Sequence, residues 1–364
     1  MKIEILQEQL IKALGYVERA IASRAQLPVL ANCLIEAKKE GIVLSSTDLE
    51  LGIRVKVAAK VEGEGKITVP AKMLSEFLGT IAPGKIEIIL EGETLKVKAG
   101  TYSAKFQTMS ADEFPQLPDP TSKSVLGEIE MEKLNEVVGR VIFASARDSL
   151  RPVLTGILWE VGGGKVKLVA TDGFRLGIEE LPIGGSSEKT QLLVPNRAMA
   201  ELIRLGENER VKVGHLVESN QIYFEVGDIL LVSQLIEGSF PDYQKIVPKE
   251  FTSELVVEKN ELLQAVKATH IFARDNSNMV KWEIKKETLE LTSNSPEKGE
   301  CKVDVTIKLD GEEGEIVFNA KYILDFLGVV AGERIVIGLG GKLAPGMMRE
   351  EGRAGKYVVM PINA

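Results

Sequence analysis

The sequence predicts an α+β chain made of three copies of one module, each built from two β-α-β-β-β units. Three observations predict it. A set of markers recurs about every 124 residues, each period switches between alternating and helical apolar spacing, and glycine-rich hairpin signals separate the alternating runs.

The markers come first. ITVPAKMLSEFL ending at Leu78, LLVPNRAMAELI ending at Ile203 and IVFNAKYILDFL ending at Leu327 each pass from a β-rich run through Pro70, Pro195 or Asn319 to a basic residue, then into apolar positions at helical spacing. Those three residues stand 125 and 124 apart. Upstream, Leu10 to Arg24, Leu134 to Arg147 and Leu262 to Arg274 read as amphipathic helices ending in a basic residue. GIVLSSTDLELGI and KVKLVATDGFRLGI follow the first two, with Asp48 and Asp172 124 residues apart, and TLELTSNSPEKGE puts Asn294 in the matching place of the third. Phe114-Pro115 and Phe240-Pro241 close the first and second copies. The domains are therefore expected at 1–121, 122–250 and 251–364, with boundaries near Thr121 and Phe251.

Within the first copy MKIEIL alternates as a strand, Gln7 to Ala20 is helical, and CLIEA, IVLSST and LGIRVKV are strands. KITV, a helix from Ala71 to about Ala82, KIEIIL, TLKVKA and a strand through Phe106 repeat that order. GGGK at Gly162 to Lys165 and DGEEG at Asp310 to Gly314 are hairpin turns. Few helices against many strands imply helices collected on one face of antiparallel sheets.

A chain of 364 residues, 44% hydrophobic, has material for two or three cores. Cys33 and Cys301 are its only cysteines, which suggests no disulfide framework or cysteine metal site and fits a reducing cytoplasm. The acidic start and the lack of a run of about 18 uncharged apolar residues speak against a signal peptide and a membrane span. A net charge of −8 argues against coating nucleic acid with the whole surface, while leaving room for a local basic face. Aromatic content of 5% disfavours a single-strand binder.

Basic residues recur with the repeat. Lys72, Arg197 and Lys321 each follow the marker by two residues, in the first turn of the second helix. Arg24, Arg147 and Arg274 fall at or beyond the end of the first helix, and Arg140, Arg151, Arg204 and Lys267 add charge nearby. The helix dipole accounts for cations at a C-terminus without any ligand. It does not account for cations at an N-terminus, so that set points to duplex DNA phosphates, contacted without sequence preference and in a salt-sensitive way.

Enzyme readings find little support. His215 and His270 belong to no metal motif, no G-x-S-x-G elbow occurs, and GGGKV and GLGGKL lack the P-loop ending. Asp48 and Asp172 could serve a metal-dependent nuclease, but their equivalence in separate repeats favours turn-forming roles. A repeat-built scaffold that never meets DNA is the third reading. No catalytic residue, cofactor or metal is expected.

QLPVLANCLIEA, SSTDLELGI, VPAK, ATDGFRL, VPNRAMAELI, IEGSFPDYQKIVP, FNAKYILDFL and YVVMP together resemble the beta sliding clamp family of bacterial DNA polymerase III, over all 364 residues. The resemblance implies a head-to-tail homodimer of three-domain chains closed into a ring, with helices lining the hole around DNA and sheets outside. It also implies an ATP-driven clamp loader that opens the ring. A hydrophobic pocket between the second and third domains would receive short linear peptides of DNA polymerases, the loader and repair proteins. Matching positions are Leu154, Thr171, Gly173, Phe174, Arg175, Leu176, Pro241, Ile246, Val358, Val359, Met360 and Pro361. Without the resemblance Leu154, Leu176 and Val358 read as core. Removing Val358 through Ala364 is expected to abolish polymerase stimulation and leave the dimer intact. The chain departs from the family at its Ile362-Asn363-Ala364 ending and at Phe174, where His or Tyr is usual. Phe106, Ile271 and Phe272 match the dimer contact, with intradomain core as the competing reading for each.

Overall fold

Apolar spacing decides where helix gives way to strand. In α1 (Gln7–Val17) the buried residues Leu10, Ala13, Leu14 and Val17 make one helical stripe. The other helices among the described residues are α2 (Ala71–Gly79), α3 (Met131–Val141), α4 (Asn196–Leu202), α5 (Lys259–Ala273) and α6 (Ala320–Leu327). The computed structural model describes residues 1–363 except 23–26, 121–123, 149, 186–188, 207–208 and 296. Arg24, the boundary at Thr121 and the last residue Ala364 therefore lie outside the described residues.

The repeat shows in the hydrogen bonding. The first N–H of α1, α3 and α5, on Gln7, Met131 and Lys259, donates to the carbonyls of Gly84, Glu209 and Glu333 at 2.8, 2.9 and 2.7 Å. One orphan donor of each helix is thus satisfied at the same place in every copy. The α1 and α3 helices tighten into 3-10 turns, Glu18–Ala20 and Ile142–Ala144. The α2 helix stops at Gly79, short of the Ala82 expected; Ala82 precedes Pro83, whose ring disfavours helical backbone at the residue before it.

Contacts group the chain into two compact units, one chiefly Met1–Glu132 and Arg197–Leu235, the other chiefly Lys133–Pro182 and Ile236–Ala364. The first unit holds a five-stranded sheet in the order Lys60–Glu62, Lys2–Leu6, Lys85–Glu91, Thr94–Ala99, Tyr102–Gln107. Its second, eight-stranded sheet runs Val125–Glu130, Arg210–Leu216, Gln221–Val226, Ile229–Gln234, Leu51–Val57, Gly41–Thr47, Cys33–Lys38, Gly65–Val69. The second unit carries one twelve-stranded sheet, shared by strands from residue 156 through residue 359, in which the long strand Gly299–Gly311 pairs first with Thr288–Ser295 and then with Ser253–Glu258. All pairings among the described residues are antiparallel, and the turn at Gly163 and Gly164, φ +62° and +74°, is the left-handed pair that the hairpin signal predicts.

Two pairings matter for function. Leu51–Val57 pairs with Ile229–Gln234, placing Gly52 opposite Val232. Arg175–Pro182 pairs with Lys356–Val359, placing Leu176 opposite Val358. These are called the first and second strand junctions. At each, a strand of one repeat continues the sheet of the next, so backbone hydrogen bonds join the copies.

Cys33 is fully buried, and burial pushes its thiol up to about 12. Cys301 lies half-buried on Gly299–Gly311. Iodoacetamide at pH 8 is expected to modify Cys301 alone in the native protein and both cysteines after denaturation. Intact mass reads the adducts, and a doubly modified native chain would contradict the burial of Cys33.

Candidate functional site

The second helix of each copy begins directly after its marker, so the residue two places on projects from the first turn. Asn319 shows why the marker works: its side-chain Oδ1 accepts the Lys321 N–H at 3.0 Å and caps α6. Lys72, Arg197 and Lys321 all emerge exposed. Arg147, beyond the 3-10 turn after α3, is exposed too, as are Arg151, Lys267 on α5 and Arg274 at its C-cap. Among the described residues Lys72, Arg147, Arg151, Lys267, Arg274 and Lys321 make no ion pair. Arg197 differs, since it pairs with Asp48 and donates to the Arg19 carbonyl at 3.2 Å, and Arg204 pairs with Glu201 at 2.9 Å.

Arg140 corrects the expectation that it faces DNA. Its side chain is only 5% exposed, with Nη1 2.8 Å from Glu350 Oε2 and 3.9 Å from Glu179, and Nη2 3.3 Å from Glu136. A buried guanidinium already surrounded by carboxylates has no face left for phosphate. Burial pushes Glu179 up to about 6, opposed by Arg140 and Arg353. The space is tight: a Cβ on Gly355 would collide with Glu179 Oε1.

The Thr-Asp pairs form matching turns. Asp48 Oδ1 accepts the N–H groups of Glu50 and Leu51 at 3.1 and 2.8 Å, and Asp172 Oδ1 those of Phe174 and Arg175 at 2.9 and 3.1 Å. Their remaining oxygens hold Arg197 and the Arg175 Nε. Both carboxylates are engaged in shaping the chain, and the described residues hold no group of three or more metal-ligating side chains.

The expected peptide-pocket positions gather at the second strand junction. Leu176 and Val358 face each other across it, Arg175 pairs with Val359, and the Met360 N–H donates to the Phe174 carbonyl at 2.8 Å. Leu176 and Val358 belong to an apolar cluster with Leu158, Val169, Ile178, Leu193, Tyr243 and Met347, against which Val153, Phe240 and Val247 pack. These last three are chain neighbours of Leu154, Pro241 and Ile246. Leu154, Thr171, Leu176, Val358 and Val359 are buried, while Gly173, Phe174, Pro241 and Ile246 are exposed and Met360 and Pro361 half-buried. The arrangement is a buried floor with an exposed rim, and Phe174, 62% exposed, is the largest rim side chain.

Arg175 is buried rather than presented to solvent. Its Nη1 lies 2.5 Å from Asp325 Oδ2, and its guanidinium stacks 4.5 Å over Tyr322 and 5.4 Å over Phe143. Tyr322 and Asp325, three apart on α6, escaped the sequence reading, although that spacing is the signal for a shared face. Leu343, at the hairpin tip before Gly346–Glu350 and also exposed, escaped it as well. The terminal strand Lys356–Val359 lies between Arg175–Pro182 and Gly346–Glu350. Removing Val358 onward therefore takes away part of the sheet as well as the rim.

Phe106, matched to the dimer contact, is turned into its own core, 4% exposed and edge-on to Phe77 at 5.8 Å. What the strand Tyr102–Gln107 leaves open is the edge of the five-stranded sheet. Ile271 is exposed and Phe272 half-buried on the last turn of α5.

The chain matches known proteins over nearly its whole length. Residues 1–118, 128–242 and 244–363 match the N-terminal, central and C-terminal domains of the DNA polymerase III beta subunit. The beta sliding clamp of Escherichia coli K12 is 32% identical over 372 aligned positions, covering 100% of each chain. A sliding clamp of Pseudomonas aeruginosa, crystallised bound to griselimycin, is 30% identical, with TM-score 0.95 and 100% of both chains covered. The DNA polymerase sliding clamp of Bacillus subtilis is 26% identical, with TM-score 0.95 over 100% of this chain and 99% of that one.

Proposed function

The chain belongs to the bacterial DNA polymerase III beta subunit family, the beta sliding clamps, and on that premise we propose that it closes around duplex DNA as a head-to-tail homodimer. It is a DNA sliding clamp, a processivity factor without a catalytic step. A threaded ring stays associated without tight binding, because release requires opening an interface or running off an end. Weak, sequence-neutral phosphate contacts then permit sliding.

The observation that supports this reading is the set of exposed cations on repeat-equivalent helix positions that make no ion pair among the described residues. Lys72 and Lys321 open their helices, and Arg147 and Arg274 follow theirs, with Lys267 and Arg151 close by in sequence. In a chain with net charge −8, a local set of exposed cations is suited to a polyanion. The open edge at Tyr102–Gln107 needs cover, which a heterologous subunit contact near Ile271 and Phe272 would supply. Partners that carry short apolar peptides, including polymerases, a clamp loader and repair proteins, would dock on the floor and rim of the second junction. Such a preformed apolar site gives exchangeable affinity. The cytoplasm, where replication takes place in bacteria, is the proposed location.

Replacing Lys72, Lys267 and Lys321 together by alanine is expected to weaken duplex DNA binding equally for unrelated sequences. The slope of log affinity against log salt should shrink by roughly 0.9 for each phosphate that the variant no longer neutralises. Titrations at several salt concentrations measure both, and an unchanged slope would remove these residues from the DNA face.

A further inference from the structure

We propose that the first strand junction holds a second peptide pocket, built on the plan of the second junction, and that the chain's own Leu117 keeps it stoppered. The proposal rests on the peptide-docking reading of the second junction.

The two junctions correspond bond for bond. Thr47 Oγ1 donates to the Leu51 carbonyl at 2.9 Å, as Thr171 Oγ1 does to Arg175 at 2.6 Å. The Leu49 and Gly173 N–H groups donate to those threonine oxygens, each at 3.0 Å. Gln234 N–H donates to the Glu50 carbonyl at 2.8 Å, as Met360 N–H does to Phe174. Leu30, buried in the 3-10 turn Pro28–Ala31, stands where Leu154 stands in Pro152–Leu154.

The rim repeats as well. Leu49 is 56% and Val217 75% exposed, against 62% for Phe174 and 67% for Leu343. Val217 and Leu343 occupy hairpin tips after Arg210–Leu216 and Arg334–Leu339. Leu49 is held at φ +80°, where Gly173 sits at +92°, so an aliphatic side chain occupies a backbone region that non-glycine residues avoid and still points into solvent.

The floor is what differs. Opposite Val232 the first junction has Gly52, where the second has Leu176 opposite Val358. The missing side chain is replaced from the linker: a Cβ on Gly52 would run into Leu117 Cδ2, which already fills its place. Arg54 pins that linker, with Nη2 donating to the Leu117 carbonyl at 2.6 Å and Nη1 2.5 Å from Asp119 Oδ1. Tyr243, three residues after Phe240 as Leu117 is after Phe114, instead sends its hydroxyl to Glu160 Oε2 at 2.7 Å. At the first junction that space is thus filled by a side chain of the linker and not of the sheet, so it is the linker that closes the site. Glu50 replaces Phe174 and Leu51 replaces Arg175, so the ligand class is an extended peptide with alternating aliphatic anchors and a basic flank.

The test is the stoichiometry of a fluorescein-labelled peptide, Ser-Leu-Ser-Leu-Lys, on the full-length protein. Wild type should bind one peptide per chain and Leu117→Ala two. Phe174→Asp, on the exposed rim of the second junction, should remove one from each. Arg54→Ala, which frees the linker without shortening Leu117, should also reveal the second site and serves if Leu117→Ala fails to fold. One peptide per chain on wild type and on both variants overturns the proposal, and two on wild type overturns the stopper. None on wild type but one on Leu117→Ala supports this pocket while sinking the second-junction reading. None on any of them overturns both.

Discussion

Replacing Arg140 by alanine is expected to destabilise the protein by roughly 3–5 kcal/mol, the usual cost of leaving buried carboxylates without their cation. Arg140 is 5% exposed and lies among Glu350, Glu179 and Glu136, the first of these 10% exposed. The loss should depend on pH. Glu179 is already raised from 4.5 to about 6 by burial, so the folded state holds its proton more tightly than the unfolded chain does. Its contribution is therefore complete below about 4.5 and lost as pH rises through about 6. Without Arg140 the carboxylates repel one another once charged, so the variant's deficit should be larger at pH 8 than at pH 5. Denaturant unfolding at both pH values measures this, and a deficit under about 1 kcal/mol at pH 8 would return Arg140 to the surface set.

Ending the chain at Val359 is expected to lower affinity for an apolar-anchored peptide by at least roughly 10-fold, the equivalent of about 1.5 kcal/mol of apolar burial. Thermal unfolding should move little. Met360 closes on Phe174 through one backbone bond, and Ile362 is held to Val317 by another at 2.9 Å, so this cut spares the paired strand. Cutting before Val358 removes residues paired to Arg175, Leu176, Gly346 and Met347, and should lower the melting temperature as well. Equal peptide affinity in the chain ending at Val359 would exclude the terminal residues from the rim.

Local rules made the repeat and much of the site legible. Asn319 caps its helix and Asp48 and Asp172 fold their turns through bonds spanning two or three residues, so their spacing in sequence is already structure. Position in the first turn likewise fixed Lys72 and Lys321 on the surface. Arg140 misled because the carboxylates that bury it, Glu179 and Glu350, come from distant strands that no local pattern connects to α3. The core reading of Phe106, which competed with the dimer contact, was legible: Ala104 and Phe106 alternate inward with exposed Ser103 and Lys105 on their strand. Leu117 was out of reach, since its role depends on the absence of a side chain at Gly52.

The most direct test of a ring closed around DNA is release from circular DNA. Protein placed on a nicked circular plasmid by its loader should remain bound through gel filtration in high salt, and leave when a restriction enzyme linearises the plasmid. Loss from the intact circle in high salt, or retention on the linear form with free ends, would contradict a topological link.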